Sequence, residues 1–416
     1  MKNKKLNQWL WKWHVIAGLV SAPFIILLAI TGCIYLFKDI YEKPTREPIK
    51  AVKPLHTSFS YEAQKRVADS ILGKSHNAML VSTKNTQATE FISGRFGHKK
   101  SIYINPYTNE PTGRITATDG LMYTVRKLHG ELLLSSTGTL VVELIASWMV
   151  VLLLTGIFIW WPARNWRLQG FFIPRWKKGK QVLLRDLHAI TAFWISGLLL
   201  LVLAGAFPWT EVVGSNFKTV QKVTGTGFPK SWMGIGIEEP SNDKKISLDK
   251  IVAKAKTLNL SGEVRIDFPK GPNGVYSVGN TYYPDLSLQQ KFHFNQYTGN
   301  LSLHQNWNEV GVLMRGRMWV MAFHQGQFGP WNWWLMLFSA ILLTISSITA
   351  IFSYFSRKPA GKWMVPKVPK SFVVSPVVIF VIALLAIVFP LFGLSVLLIL
   401  VVEKFQNRKT SSNNHK

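Results

Sequence analysis

Long apolar runs alternate with long polar segments along this chain of 416 residues. Each of four runs approaches or exceeds the roughly 20 residues that a helix needs to cross a hydrocarbon core of about 30 Å. These runs cover residues 14–37, 138–161, 188–209 and 331–355. A fifth apolar stretch, 372–403, is interrupted by Pro390, so it forms either one tilted span or a hairpin. The pattern predicts a mainly α-helical integral membrane protein.

The two long polar segments, 39–125 and 210–315, repeat one order of predicted elements. Each contains an amphipathic helix, at 61–73 and 248–259. Each ends in alternating strands around a polar turn, "KSIYINPYTNEPTGRI" and "KFHFNQYTGNLSLHQ", a pattern typical of a β-hairpin. We therefore expect two small α+β domains.

Charge indicates which side of the membrane each segment faces. The net charge is +27, yet only 17% of residues are charged and 48% are hydrophobic, which favours a membrane protein and argues against a nucleic-acid partner. Lysine and arginine concentrate at the N-terminus and in the loops after the second and fourth spans, which the positive-inside rule places in the cytoplasm. The long polar segments, with most of the acidic residues, are then outside.

This interpretation divides the chain into alternating spans and loops. The predicted units are a first span (1–38), an outside domain (39–125), a second span (126–163), a basic cytoplasmic loop (164–187), a third span (188–209), a second outside domain (210–315), a fourth span (316–356), a cytoplasmic loop (357–371), the C-terminal apolar span or spans (372–403) and a polar tail (404–416).

Four of the ten histidines occupy repeated positions near the starts of the spans. They are His14, His129, His188 and His324, in the motifs "WKWH", "RKLH", "RDLH" and "MAFH". The spacing from each histidine to a small-residue pair at the far end of its span also repeats, which divides the chain into two similar halves. Chain direction places His14 with His188 near the inner face and His129 with His324 near the outer face.

Paired imidazoles in a helical bundle suit six-coordinate haem, in which two histidines fill the axial positions. A zinc site would require more ligands, and copper usually recruits Met or Cys. Arg126, Arg185 and Arg317 lie where haem propionates would emerge or a substrate would dock. Glu143 in the second span carries protons, braces a histidine ring or is an interfacial carboxylate; the sequence leaves these alternatives open.

The single cysteine, Cys33, excludes an internal disulfide and an all-cysteine iron–sulfur cluster. The "ITGC" sequence around it also matches a lipoprotein cleavage box. The apolar run continues beyond Cys33, however, and favours an uncleaved span.

The four histidine-led spans, the "TG" at their ends and the "YINPYTNEPTG" and "FHFNQYTGNL" turns resemble the PepSY-associated transmembrane proteins, over roughly residues 5–360. That family includes bacterial inner-membrane ferric-siderophore reductases. The resemblance implies PepSY-like outside domains, two b-type haems with His14, His129, His188 and His324 as axial ligands, and electron delivery to ferric chelates in the periplasm. Asn105 and Asn295 stand where the family commonly has aspartate.

The leading hypothesis is a di-haem oxidoreductase of the bacterial inner membrane that reduces ferric siderophores or other ferric chelates. No nicotinamide or flavin fingerprint occurs, so the electron donor is external, either a quinol or a cytoplasmic reductant. Two alternatives remain open: a non-redox membrane regulator whose outside domains bind a partner, and a siderophore transporter with duplicated halves.

Overall fold

The computed structural model describes residues 4–413 except 74–75, 83, 162–167, 238–243, 360 and 370–371. Parts of both predicted cytoplasmic loops and of the polar tail therefore lie outside the described residues. In chain order the helices are α1 (Lys4–Leu36), α2 (Lys38–Lys50), α3 (Tyr61–Leu72), α4 (Leu121–Glu131), α5 (Ser135–Trp160), α6 (Lys180–Ala206), α7 (Val212–Val223), α8 (Leu248–Thr257), α9 (Val312–His324), α10 (Pro330–Phe355), α11 (Pro376–Val388) and α12 (Pro390–Asn413). The strands are β1 (His76–Leu80), β2 (Thr89–Ser93), β3 (Lys100–Ile104), β4 (Pro111–Thr116), β5 (Glu263–Asp267), β6 (Val275–Thr281), β7 (Gln290–Asn295) and β8 (Leu301–Asn306).

Four helices, α1, α5, α6 and α10, are long and apolar enough to cross a membrane. Helix α1 packs against α5 and α10, and α6 packs against the same two helices. Their shared core includes Ile25, Ile145, Met149 and Leu199. The four predicted spans thus form one bundle of packed helices.

The second and fourth predicted spans are each broken into a short helix and a long one. Helix α4 ends at Glu131, and Leu132 and Leu133, which both have positive φ, separate it from α5. Helix α9 ends at His324, and a turn with Gly326 and Gly329 in positive-φ conformations precedes Pro330, the first residue of α10. His129 and His324 therefore lie on short helices that precede the spans.

The sequence predicts two separate domains for the polar segments. In the structure both segments contribute to one eight-stranded antiparallel sheet with the order β4-β3-β2-β1-β5-β6-β7-β8. Strands β1 and β5 join the two groups of four, with Met79 opposite Ile266. This pairing removes two free strand edges, which would otherwise expose unpaired backbone groups. Helices α3 and α8 cover one face, and their core includes Phe91 and Ile251.

The opposite face of the sheet is polar and turns toward the membrane helices. Ser277 and His293 lie on it, 2.8 Å apart between Oγ and Nδ1. Burial, and then the charge of Lys291, lower the pKa of His293 to about 4, so this ring is neutral at neutral pH. The 3-10 turn Lys230–Met233 lies between this face and α9, where Trp232 packs in one cluster with Ala322.

The fifth apolar stretch is a hairpin of α11 and α12, which turns at Phe389 and Pro390. Its start lies near the N-terminus, since the rings of Trp9 and Phe372 are 6.1 Å apart. Its end returns to the same place, because Lys12 Nζ lies 3.9 Å from Glu403 Oε1. The turn reaches the far end of α6, where the ring of Phe389 lies 4.6 Å from that of Phe207.

We predict that the C-terminal tail shares the side of the N-terminus. In a Cys33→Ser background, single cysteines at Lys177, Lys362 and Lys404 should resist a membrane-impermeant thiol reagent added from outside. Cysteines at Lys84 and Thr281, which are exposed on the side of the sheet, should react. Labelling at position 404 together with protection at 177 would contradict the hairpin.

Candidate functional site

The first pair of predicted histidines lies between α1 and α6. The ring centres of His14 and His188 are 6.2 Å apart, with an angle of 57° between the ring planes. Both residues lie toward the N-terminal ends of parallel helices, so this pair is on the side of the membrane bundle that faces away from the sheet. We call it the inner pair.

The second pair lies on the short helices α4 and α9, beneath the sheet. The ring centres of His129 and His324 are also 6.2 Å apart, with an interplanar angle of 63°. The edge strands β4 and β8 each lead into one of these short helices. The structure therefore places this outer pair directly below the sheet, and it brings together the same partners that chain direction predicts.

A hydrogen bond to a neighbouring helix holds the Nδ1 atom of every ring. The acceptors are Thr155 Oγ1 for His14 (2.9 Å), Leu28 O for His129 (3.0 Å), Ser346 O for His188 (3.1 Å) and Val202 O for His324 (2.8 Å). A carbonyl only accepts, so three of these rings carry their proton on Nδ1. The Thr155 hydroxyl donates to Val151 O at 2.7 Å and therefore accepts from His14 as well.

This tautomer leaves the lone pair on Nε2, the nitrogen that a neutral histidine offers to a metal. A hydrogen bond to the other ring nitrogen is the usual way in which proteins orient such a ligand. The four rings thus have the protonation state and the fixed orientation that metal ligation requires.

The repeated small residues of the spans pack against these rings. A Cβ atom on Gly156 would lie 3.3 Å from Cε1 of His14, and one on Gly32 would lie 3.3 Å from Cε1 of His129. At Gly205 a Cβ would lie 2.4 Å from Val320 O and 2.7 Å from Cβ of His324, which is too close to be accommodated. Each of these glycines therefore leaves the space that the histidine of a neighbouring helix occupies.

The spacing within each pair fits two axial ligands of one metal ion. Imidazole nitrogens bind metals at about 2.0 Å and the ring centre lies roughly 1 Å further back, so two opposed ligands have ring centres about 6 Å apart. No group of three or more His, Cys, Asp or Glu side chains that could hold a metal occurs among the described residues. A donor set of two imidazoles suits a metal whose other positions are filled by a macrocycle.

The three arginines predicted near the pairs have different surroundings. Arg126 lies one turn before His129, with its guanidinium 5.2 Å from the centre of the Tyr123 ring. Arg317 is only 8% exposed, lies 4.2 Å from the centre of the Trp209 ring, and its Nε has no hydrogen-bond partner within the described part of the chain. Both remain candidates for an anionic group near the outer pair.

Arg185 belongs to an ion pair that sequence reasoning missed. Asp186 is fully buried beside the inner pair and accepts two bonds of 2.7 Å from Arg175, while Arg185 Nη2 lies 3.0 Å from the same carboxylate. The signal was present in the sequence, because Asp186 is the one acid in a strongly basic loop, two residues before His188.

Glu143 caps a helix, a role that the sequence did not predict. It is fully buried on α5, and its two carboxylate oxygens accept from the backbone N–H groups of Val212 and Val213 at 2.8 and 3.0 Å. These are the first residues of α7, so the carboxylate caps the positive end of that helix. Glu143 anchors α7 to the membrane bundle, and within the described residues its carboxylate makes no hydrogen bond to a histidine ring.

Fold and site together define a multi-pass membrane protein with two histidine pairs, one at each end of its bundle. The chain belongs to the PepSY-associated transmembrane family, whose family model, described as the PepSY-associated TM region, matches residues 11–357. The C-terminal hairpin lies outside that match. No curated protein matches the chain.

Proposed function

We propose that this protein is a di-haem electron-transfer protein of the bacterial inner membrane that reduces ferric siderophores or other ferric chelates on the periplasmic side. In this proposal His14 and His188 hold one b-type haem and His129 and His324 the other. The chain is then two repeated halves with the N-terminus in the cytoplasm, and a quinol or a cytoplasmic reductant supplies the electrons.

The observation that carries this proposal is the geometry of the two pairs. Two independent pairs of rings have the same 6.2 Å separation, and each ring offers Nε2 because Nδ1 is already bonded. Packed histidines without a ligand would have no reason to adopt one spacing at both ends of the bundle. A haem bound in this way supplies a one-electron couple, tuned by its axial ligands and their hydrogen bonds.

The bundle separates the two pairs by most of the membrane thickness. His14 and Gly32, which packs against His129, are 18 residues apart on α1, about 27 Å of helix rise. The inner pair is thus reachable from the cytoplasmic side and the outer pair from the sheet side. This placement supports transfer of electrons across the membrane, since a haem at each end would accept an electron at one face and pass it to the other haem.

A ferric chelate suits the outer end for two reasons. Its polar donor groups exclude it from the hydrocarbon core, so it has to meet the protein at the outer surface. Arg126 and Arg317 give the surroundings of the outer pair positive charge, which attracts anionic chelates. One-electron reduction to Fe(II) weakens the hold of hard oxygen donors and releases the ion.

Ligation is tested by removing one histidine at a time. His14→Ala and His188→Ala should each abolish or turn high-spin one haem, and it should be the same haem in both variants. His129→Ala and His324→Ala should affect the other haem. Reduced-minus-oxidised absorption and paramagnetic resonance spectra of the purified protein distinguish the two. A colourless wild-type protein would exclude redox function, and different haems lost in His14→Ala and His188→Ala would exclude the pairing.

The bond from His14 Nδ1 to Thr155 should tune the potential of the inner haem. A ligand that donates a hydrogen bond is more basic and stabilises Fe(III). Thr155→Val removes the acceptor, so we expect the reduction potential of that haem alone to rise in a spectroelectrochemical titration. Thr344→Val is the matched control, because the Thr344 hydroxyl bonds only to Ala340 O of its own helix. Equal shifts in both variants would assign the effect to general packing.

The site of reduction is tested in oriented vesicles with their periplasmic face outward. After reduction by dithionite, a ferric hydroxamate chelate added outside should reoxidise the haems, with Fe(II) appearing in step. His324→Ala should slow this reoxidation at least about tenfold, whereas His304→Ala on β8 should leave it unchanged. Prompt reoxidation by a quinone, with no response to any ferric chelate, would instead identify a quinone-linked electron carrier.

A further inference from the structure

A cavity of about 270 Å³ opens at one end of the β1–β5 pair, where the two groups of four strands meet. The turn between β2 and β3 contributes Arg95, and the loop between β5 and β6 contributes Lys270. The segment 233–237 and Ser277 of β6 also line it. Residues from before and after the basic loop 164–187 therefore build this cavity together, and we call it the sheet cavity.

Positive charge dominates the surroundings of the sheet cavity. Arg95 and Lys270 are exposed, and neither has an ion-pair partner among the described residues. Asp267 is the one acid among the described lining residues, and it is already paired, with Arg265 Nε at 2.8 Å and Lys291 Nζ at 3.1 Å. Four cations thus surround one carboxylate, although the two polar segments hold most of the acidic residues of the chain.

Neutral polar groups of the cavity also lack partners. The side-chain amides of Asn77 and Asn273 line the cavity, and neither makes a hydrogen bond within the described part of the chain. Arg95 has only a 4.0 Å contact from Nη1 to Met233 Sδ. Amides and cations that converge on one cavity without partners are groups that a bound polar ligand satisfies.

The two unpaired cations lie on opposite sides of the strand junction. Arg95 follows β2, next to β1, and Lys270 follows β5, on the side of β6. A ligand that meets both cations needs two separate anionic groups, which phosphate or sulfate does not have. The planar guanidinium of an arginine binds a carboxylate through two parallel hydrogen bonds. The arrangement therefore favours a molecule with at least two carboxylates.

The size and the apolar lining of the cavity define the rest of the ligand. Its volume of about 270 Å³ is below the roughly 300–1,000 Å³ of sites for drug-sized molecules. Ile235, Ile237 and Val275 line it between the polar groups and suit a short carbon chain. The cavity is thus too small for a whole hydroxamate siderophore and matches a small organic acid.

The wall formed by residues 233–237 connects the cavity to the membrane helices. It continues the 3-10 turn Lys230–Met233, whose Trp232 packs in one cluster with Ala322 of α9. Ala322 lies two residues before His324. A ligand in the sheet cavity would therefore contact the segment that packs against the helix of the outer pair.

We propose that the sheet cavity binds a small polycarboxylate, with one carboxylate on Arg95 and a second on Lys270. The occupant is either the free acid or its ferric complex, since both present the same carboxylates. The binding itself does not depend on the proposed haems.

Calorimetric titration of the full-length protein in lipid nanodiscs, with citrate as the probe, tests the site. Arg95→Gln and Lys270→Gln should each weaken citrate binding about tenfold or more, because each removes one charge-assisted hydrogen-bond donor. Lys250→Gln is the matched control, since Lys250 is exposed on α8, which covers the other face of the sheet. Acetate, phosphate and sulfate should bind at least about tenfold more weakly than citrate to the wild-type protein.

Three results would overturn the proposal. They are no binding of citrate at millimolar concentration, equal affinity of the wild type and Arg95→Gln, and phosphate binding as tight as citrate. Ferric citrate in the same titration distinguishes the two sources. Tighter binding of the ferric complex would identify a docking site for a substrate of the proposed reductase, and tighter binding of free citrate would identify a site for the acid alone. Failure to bind either would leave the histidine ligation tests unaffected.

Discussion

The Nδ1 hydrogen bonds of the four histidines determine how the membrane helices meet. A buried imidazole N–H without an acceptor would be costly, and within a membrane bundle the acceptor has to come from another helix. Thr155, Leu28, Ser346 and Val202 supply these acceptors, and each bond crosses from one helix to its neighbour. The bonds therefore fix the helix contacts α1 with α5, α1 with α4, α6 with α10 and α6 with α9, and they orient each ring toward its partner.

Close approach of the helices is the second requirement, and glycine provides it. Lipid supplies no hydrophobic force between helices, so packing depends on small residues that let backbones come near each other. Gly205 shows this most clearly, since any side chain there would collide with the backbone of α9. These glycines and the histidines are thus two parts of one contact.

Sequence alone could predict what depends on composition, periodicity and chain direction. The four spans are long apolar runs, and the histidine pairs follow from the direction of each span, so His14 lies with His188 and His129 with His324. Contacts between segments that are far apart in the chain could not be predicted, because no local sequence pattern indicates them. The pairing of β1 with β5, the capping of α7 by Glu143 and the return of α12 to Lys12 each join residues far apart in the chain. The breaks before α5 and α10 were missed when each short helix was joined to its span, although the polar and glycine-containing stretches at 129–138 and 324–330 mark them in the sequence.

The contacts at the centre of the fold join residues that precede the basic loop 164–187 to residues that follow it. Each histidine pair takes one ring from each half, and β1 with β5 takes one strand from each, so a change on one side affects the other. Helices α2 and α7 take no part in these contacts and have different surroundings: one covers β4, and the other is tied to α5 by Glu143. A change in a central residue therefore affects both parts of the chain, because its contact partner lies in the other part, whereas a change in α2 or α7 acts locally.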